Sequence, residues 1–249
     1  KVFNLFKNTD YPFFLDSGMN KYGLGRYSFI GFEPFLVFKS RYKKIQFDIQ
    51  NSQFEINNNP FDALSVLINQ YRLQPISGLP SFLGGAVGYF GYEMRHLIED
   101  VPGKGIDDLI LPDCMFCFYD VLFIFDHLKG KAYISSSGFP ETNQSREIRA
   151  KTRLKEVQTR LLPINQEKDS LSRGNTPLTL SQEGNTPPIP SQEGIVFNFT
   201  REQYLKAIRR AKEYIAAGDI YQVNLSQRLT ANLFIPPFEL YKRLRKLNP

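Results

Sequence analysis

The sequence predicts an α+β fold, because short strand-like runs divided by turn residues fill residues 1–140 and amphipathic helices follow. Of its 249 residues, 42% are hydrophobic and 14% aromatic, which is enough to bury a core and argues against disorder. Phenylalanine occurs 22 times and tryptophan is absent, so the predicted core depends on Phe, Leu and Ile. This length indicates one or two domains.

The amino-terminal part is predicted to form a series of strands. These are residues 13–17, 26–32, 35–40, 44–49 and 53–56, with a hairpin turn at Asn51-Ser52. Asn59 followed by Pro60 then predicts an N-cap and the first position of a helix. The stripe expected to be buried on this helix is Phe61, Leu64, Leu67, Ile68 and Tyr71.

Four glycines precede the next predicted helix, which begins near Glu93. They are Gly84, Gly85, Gly88 and Gly91. Such a cluster indicates turns or close backbone approach, and a phosphate-cradling loop is the alternative. The spacing fits neither G-x-G-x-x-G nor G-x-x-x-x-G-K-[ST], so we favour the structural role.

Residues 112–126 predict one strand that is apolar on both faces and therefore central in its sheet. A turn at Lys129-Gly130 leads to a second strand, residues 131–137. Asp120 and Asp126 in the first strand can be functional carboxylates or hydrogen-bonded structural acids. The structural interpretation is favoured, because buried polar groups need partners.

Cys114 and Cys117 form a CxxC pair, which is compatible with a zinc or redox site. A zinc site needs about four ligands, and the sequence offers no second CxxC or paired histidines. The pair lies in an apolar strand, where positions three apart point to opposite faces. We therefore expect two buried, reduced cysteines, which fits a reducing, cytoplasmic setting.

The formal net charge is +6, and part of the excess lies in residues 39–44 and 242–246. Such clusters can bind phosphates or nucleic acid, but a solvated hairpin end and a helix face explain them better. No aromatic-rich basic motif is present, so we expect no nucleic-acid partner. No apolar run of about 18 residues occurs either, so we expect no membrane span.

The carboxy-terminal part begins with a charged helical pattern over residues 141–162. The near-duplicate repeats GNTPLTLSQE and GNTPPIPSQE follow, and their composition predicts a flexible linker. Thr200 and Gln203 then form a predicted capping box, and Gly218 a helix stop. The helix stripe is Tyr204, Ile208, Ala211 and Ile215, and a half-buried strand over residues 221–229 is predicted after it.

Five segments, in order, carry a family resemblance. They are LDSGMNKYGLGRYSFIGFEP, LPSFLGGAVGYFGYEMRHLIED, LPDCMFCFYDVLFIFDH, FTREQYLKAIRRAKEYIAAGDIYQVNLSQRL and LYKRLRKLNP. They resemble the chorismate-binding component I enzymes, aminodeoxychorismate synthase and anthranilate synthase component I. The resemblance implies a mainly antiparallel two-sheet sandwich with flanking helices. It also implies an amino-terminal lobe (residues 1–165), a linker (166–195) and the start of a truncated catalytic domain (196–249).

The resemblance implies an enzyme subunit that uses chorismate and takes ammonia from a glutamine amidotransferase partner. Asn224 favours aminodeoxychorismate synthase, which serves 4-aminobenzoate and folate synthesis, with anthranilate synthase as the alternative. The family's Mg²⁺ ligands and catalytic residues are expected beyond Pro249, so no catalytic or metal residue is assigned and the chain is expected to be inactive alone. A fragment that binds tryptophan or a partner without catalysis is the alternative of another class.

The resemblance also implies a tryptophan-binding site, whether regulatory or structural. The residues that match it are Ser17, Leu24, Gly25, Arg26 and Tyr27. An amphipathic ligand needs polar groups for one end and an apolar wall for the other. The alternative is that Ser17 and Arg26 only cap strands. Gln222 and Asn224, on one face of the last predicted strand, can face a catalytic cleft or simply solvent.

Overall fold

The computed structural model describes residues 1–18, 25–49, 52–100, 107–171 and 194–248. For residues 164–171, at the end of a long helix, only the backbone is described. The chain divides into two compact units, Lys1–Thr176 and Pro177–Pro249. Leu24, the Asn51 half of the predicted turn and most of the repeat segment lie outside the described residues. In the described part, no helix is long and apolar enough to cross a membrane.

The first unit contains nine described strands in two antiparallel sheets. They are β1 (Phe13–Leu15), β2 (Tyr27–Gly31), β3 (Leu36–Arg41), β4 (Lys44–Ile49), β5 (Ser52–Asn57), β6 (Gly85–Phe90), β7 (Cys114–Tyr119), β8 (Val121–Asp126) and β9 (Lys131–Ser136). Sheet A has the order β1-β2-β8-β9, and sheet B has the order β5-β4-β3-β7-β6. The predicted two-sheet α+β sandwich is confirmed.

Helices cover the outer faces of both sheets. They are α1 (Val2–Phe6), α2 (Pro60–Gln70), a 3-10 helix (Tyr92–Leu97) and α3 (Asn143–Leu171). Apolar residues of α2 and the 3-10 helix pack on sheet B, whereas α1 and α3 pack on sheet A. A third cluster, which includes Val37, Leu122 and Ile124, fills the space between the sheets.

The predicted strand over residues 112–126 is two strands, which corrects the sequence interpretation. β7 lies in sheet B between β3 and β6, and β8 lies in sheet A between β2 and β9. Both strands are central in their sheets and covered on both faces. Both are therefore almost entirely apolar, and no glycine or proline separates them in the sequence. The chain changes sheets at Asp120, whose carbonyl accepts a hydrogen bond from the Ser137 N–H (2.8 Å).

The glycine-rich segment forms β6, a strand that the sequence interpretation missed. A Cβ on Gly88 would lie 1.9 Å from the Met115 carbonyl oxygen on β7, so close backbone approach is confirmed there. Helix α2 begins as predicted, since the Asn59 side chain accepts a hydrogen bond from the Phe61 N–H (2.9 Å). Ile68 corrects the predicted stripe, because it is 47% exposed.

Helix α3 runs through Pro163 to Leu171, six residues into the segment predicted as a linker from residue 166. Its amino-terminal half packs on sheet A through Val157, which is fully buried beside Phe6 and Phe32. Three arginines of α3, Arg149, Arg153 and Arg160, form ion pairs with Asp120 or Glu33.

The second unit contains β10 (Ile195–Phe197), α4 (Arg201–Ala217), β11 (Leu229–Ala231) and α5 (Pro237–Leu247). The capping box between Thr200 and Gln203 is confirmed, and so is the left-handed cap at Gly218 (φ 82°). The strand predicted over residues 221–229 is wrong: only its last residue, Leu229, is in a strand, the β11 that pairs with β10. Tyr221 is 93% exposed, because no described strand pairs with that segment.

Candidate functional site

The start of β2 brings together the described residues that were predicted to bind tryptophan. β1 pairs with β2 so that Leu15 lies opposite Phe29, and the chain after β1 therefore runs beside the start of β2. The Ser17 hydroxyl donates a hydrogen bond to the Tyr27 carbonyl oxygen (2.6 Å). Gly25 is buried immediately before Arg26. Ser17, Gly25, Arg26 and Tyr27 thus lie close together at the start of β2, while Leu24 lies outside the described residues.

The hydrogen bond made by Ser17 determines what its hydroxyl can offer a ligand. A hydroxyl has one hydrogen and two lone pairs, and the hydrogen of Ser17 is directed at the Tyr27 carbonyl. The oxygen can therefore only accept from a ligand. This corner of the site is suited to a donor with positive charge, such as an ammonium group.

Arg26 is paired within the protein. Its Nη2 donates to Asp126 Oδ2 (2.9 Å), and its Nε donates to Oδ1 (3.2 Å). Its guanidinium also lies 4.7 Å from the centre of the Tyr27 ring. Asp126 accepts two further hydrogen bonds, from the N–H groups of Leu128 and Lys129 (3.1 Å each). The interpretation of Asp126 as a hydrogen-bonded structural acid is confirmed.

The pKa of the Asp126 carboxyl is lowered to about 2, chiefly by its hydrogen bonds with Arg26. The carboxylate is thus charged at neutral pH, and the Arg26 guanidinium is neutralised by it. Arg26 therefore shapes the site by holding the end of β8 against the start of β2 rather than by offering an unpaired charge.

An aromatic wall lies next to these polar groups. The ring centres of Tyr27 and Phe29 are 6.0 Å apart, and Phe82 packs edge-on against Phe29 at 5.4 Å. All three belong to the apolar layer between the two sheets. The site therefore joins a polar corner to an apolar face, as an amphipathic ligand requires.

Three residues beside the site were not singled out from the sequence: Asp16, Ser28 and His127. The Ser28 hydroxyl oxygen lies 2.7 Å from His127 Nε2 and 3.3 Å from Asp16 Oδ1. It also accepts a hydrogen bond from the Ser17 N–H (3.0 Å). The chain has two histidines, and this scarcity is a sequence signal that could have drawn attention to His127.

The other sequence candidates lie elsewhere. Cys114 and Cys117 are buried, free and directed to opposite faces of β7, as predicted, and burial raises the pKa of both thiols to about 11. Asp120 is fully buried and held by ion pairs at 3.4 Å rather than by the side-chain hydrogen bonds that were predicted. Gln222 and Asn224 are both exposed in the second unit.

Magnesium was expected from the family resemblance, with ligands outside this chain. Among the described residues, no three His, Cys, Asp or Glu side chains are grouped so that they could hold a metal ion. No chemical step is therefore assigned to a metal on the described residues.

Known proteins resemble this chain over nearly its whole length. Anthranilate synthase component 1 of Acetivibrio thermocellus is 34% identical, with 100% of this chain and 49% of the relative covered. The Thermus thermophilus protein of the same name is 34% identical over 82% of this chain and 40% of its own length. The crystal structure of anthranilate synthase component I from Streptococcus pneumoniae TIGR4 matches with a TM-score of 0.63 and 26% identity, covering 90% of this chain and 46% of that one.

The chain thus spans about half the length of these relatives. The family described as "chorismate binding enzyme" matches residues 14–249, which are the whole second compact unit and all but the first 13 residues of the first. The chain belongs to the chorismate-binding enzyme family.

Proposed function

We propose that this chain is the amino-terminal part of an anthranilate synthase component I, which makes anthranilate from chorismate and ammonia for tryptophan synthesis. The observation that carries the proposal is the likeness to proteins of that name over up to 100% of this chain. Residues 1–165 would form the amino-terminal lobe, 166–195 a linker and 196–249 the start of the catalytic domain. A glutamine amidotransferase subunit would supply the ammonia, and Mg²⁺ would bind in the catalytic domain.

Aminodeoxychorismate synthase is the second candidate. The sequence interpretation preferred it because of Asn224, which follows Val223 in the segment after α4. The relatives quoted above bear the name anthranilate synthase, so they favour the alternative over that preference. The order of the two candidates is accordingly reversed.

Growth tests separate the two candidates. The complete gene that encodes this chain is expressed in one strain that lacks anthranilate synthase component I and in another that lacks aminodeoxychorismate synthase component I. Growth without tryptophan is expected in the first strain. Growth only in the second, without 4-aminobenzoate, would restore aminodeoxychorismate synthase as the function. This chain by itself, given chorismate, Mg²⁺ and ammonium, is expected to form neither product.

We also propose that the site at the start of β2 binds L-tryptophan. The Ser17 oxygen would accept from the ligand's ammonium group, and the aromatic wall of Tyr27, Phe29 and Phe82 would face the indole. Support comes from the acceptor geometry of Ser17 and from the position of this wall beside it. The chain-wide likeness to anthranilate synthases makes the end product of that pathway the natural ligand to test.

Isothermal titration calorimetry tests this site directly. L-Tryptophan is expected to bind, and indole-3-propionate, which lacks the amino group, is expected to bind much more weakly. Ser17→Ala should weaken tryptophan binding, because it removes the acceptor oxygen. Ser65→Ala, at an exposed position on α2, is the matched control and should change nothing. No heat at millimolar tryptophan would contradict the proposed site.

A further inference from the structure

Ser28 is the centre of a small hydrogen-bond network behind the proposed tryptophan site. It is 2% exposed, yet its hydroxyl oxygen contacts three partners on two other segments of the chain. The Ser17 N–H donates to it at 3.0 Å, Asp16 Oδ1 lies at 3.3 Å, and His127 Nε2 lies at 2.7 Å. A buried hydroxyl with three partners holds the segment 16–17 and the end of β8 at fixed positions.

Counting hydrogens assigns a role to His127. The Ser28 hydroxyl has one hydrogen, and it already accepts from the Ser17 N–H. An ionised carboxylate can only accept, so the contact with Asp16 uses that single hydrogen. The remaining 2.7 Å contact is then a hydrogen bond only if His127 Nε2 carries a hydrogen and donates it. All three contacts are satisfied when His127 is the donor.

His127 is held in place to act in this way. Its backbone N–H donates to the Arg26 carbonyl oxygen (2.8 Å), one residue beyond the last paired position of β2 and β8. Its neighbour Asp126 is fixed by Arg26 through two hydrogen bonds. The imidazole therefore projects from an anchored strand end, and its position relative to Ser28 does not depend on the imidazole contact alone.

We propose that His127, acting through Ser28, is a positioning residue that holds the Ser17 backbone so that the Ser17 hydroxyl oxygen can receive the ligand's α-amino group. Neither His127 nor Ser28 needs to touch the ligand. The Ser28 contact fixes the Ser17 backbone, and the Ser17 hydroxyl keeps its hydrogen on Tyr27 and its lone pairs towards the ammonium group. This inference rests on the proposed binding of L-tryptophan at this site.

The test compares three substitutions at two positions by calorimetry with L-tryptophan. His127→Ala removes the donor and should raise the Kd about five- to tenfold, the effect of one lost hydrogen bond. His127→Gln can place its amide nitrogen near the Nε2 position and should recover most of the affinity. Ser28→Ala should weaken binding at least as much as His127→Ala, because it also leaves the Ser17 N–H without its partner.

The matched control is His96→Ala, at the chain's other histidine. His96 contacts Glu93 on the 3-10 helix (3.0 Å) and should leave the Kd unchanged. Urea denaturation of each variant measures stability in parallel. If His127 had only a structural role, His127→Ala would lower the free energy of unfolding, and His127→Gln would not restore the affinity for L-tryptophan.

A measurement without ligand examines the hydrogen-bond assignment by itself. The ¹⁵N chemical shifts of the His127 imidazole should show a hydrogen on Nε2, and Ser28→Ala should alter that signal. An Nε2 without hydrogen would overturn the inference. So would unchanged tryptophan affinity in both His127→Ala and Ser28→Ala while the unaltered chain binds. If the unaltered chain does not bind tryptophan, the proposed tryptophan site fails and this inference fails with it, whereas the growth tests still decide the proposed enzyme activity.

Discussion

The guanidinium of Arg26 donates two hydrogen bonds to the carboxylate of Asp126, although the two residues are 100 positions apart in the sequence. The pair joins the start of β2 to the end of β8, and it stands directly behind the Tyr27 ring of the proposed ligand site. Bidentate pairs of this kind are stronger and more directional than single contacts. The geometry of the site thus depends on an ion pair between distant parts of the chain.

Asp126→Asn is expected to make the free energy of unfolding depend less on pH in the acidic range. The folded-state pKa of about 2 lies below the ordinary value, so the carboxylate contributes stability above that ordinary value. This contribution is lost as the pH falls towards 2 in the unaltered chain. Urea denaturation between pH 7 and pH 2 should show the asparagine variant less stable at pH 7 and less sensitive to acid.

Arg26→Met is the companion variant for the same pair, since it leaves Asp126 without its main partner. It should also reduce stability at neutral pH. Parallel pH profiles for Asp126→Asn and the unaltered chain would contradict the linkage between this pair and acid stability.

Gly88→Ala should destabilise the first unit by about 1–3 kcal/mol, the usual cost of overpacking a well-packed region. The added Cβ would lie 1.9 Å from the Met115 carbonyl oxygen and 2.6 Å from Phe116 Cα, and both atoms belong to the backbone of the central strand β7. Backbone cannot move aside as a flexible side chain can. Urea midpoints measure the effect. Gly194→Ala is the control, because its Cβ would meet no atom within 4 Å.

Asp120→Ala should cost about 3 kcal/mol of unfolding free energy, because it leaves two arginines of α3 without their buried partner. Asp120 is fully buried, and its Oδ2 lies 3.4 Å from both Arg149 Nη2 and Arg153 Nε. Burial raises the pKa of its carboxyl, while the two arginines oppose that shift. Denaturation by urea, followed by circular dichroism, gives the measurement.

The control for this buried pair is on the same helix. Glu147 and Lys151 form a pair at 4.0 Å with both side chains 77% exposed. Glu147→Ala should produce no measurable change, since exposed pairs contribute little. Equal losses for Asp120→Ala and Glu147→Ala would show that the Asp120 network does not hold α3 on the sheet.

Cys114 and Cys117 should react slowly with a thiol reagent such as 5,5′-dithiobis(2-nitrobenzoate) while the chain is folded. Burial raises the pKa of both thiols to about 11 and also blocks access, and only the thiolate attacks the reagent. Two equivalents should appear rapidly in concentrated urea. Rapid reaction of either thiol under native conditions would contradict the burial of that residue.

Local signals account for the parts of the fold that were predicted well. Asn59 and Pro60 begin α2, and Thr200, Gln203 and Gly218 mark both ends of α4, because each cap is made within a few residues. The hairpins of β3 with β4 and of β8 with β9 also follow from neighbouring residues. These short-range features need no knowledge of the rest of the chain.

The sequence by itself determined the α+β composition, the strand-rich amino-terminal part, the helix caps and the family resemblance, since local patterns carry all of them. Only the tertiary structure decided that one apolar run becomes two strands in different sheets at Asp120. Only the tertiary structure showed that Ser28 contacts His127, which is 99 positions away in the sequence, and that Arg26 donates hydrogen bonds to Asp126. These outcomes depend on which strands become neighbours in a sheet. Strand pairing joins residues that are far apart in the sequence, so a short sequence pattern cannot predict it.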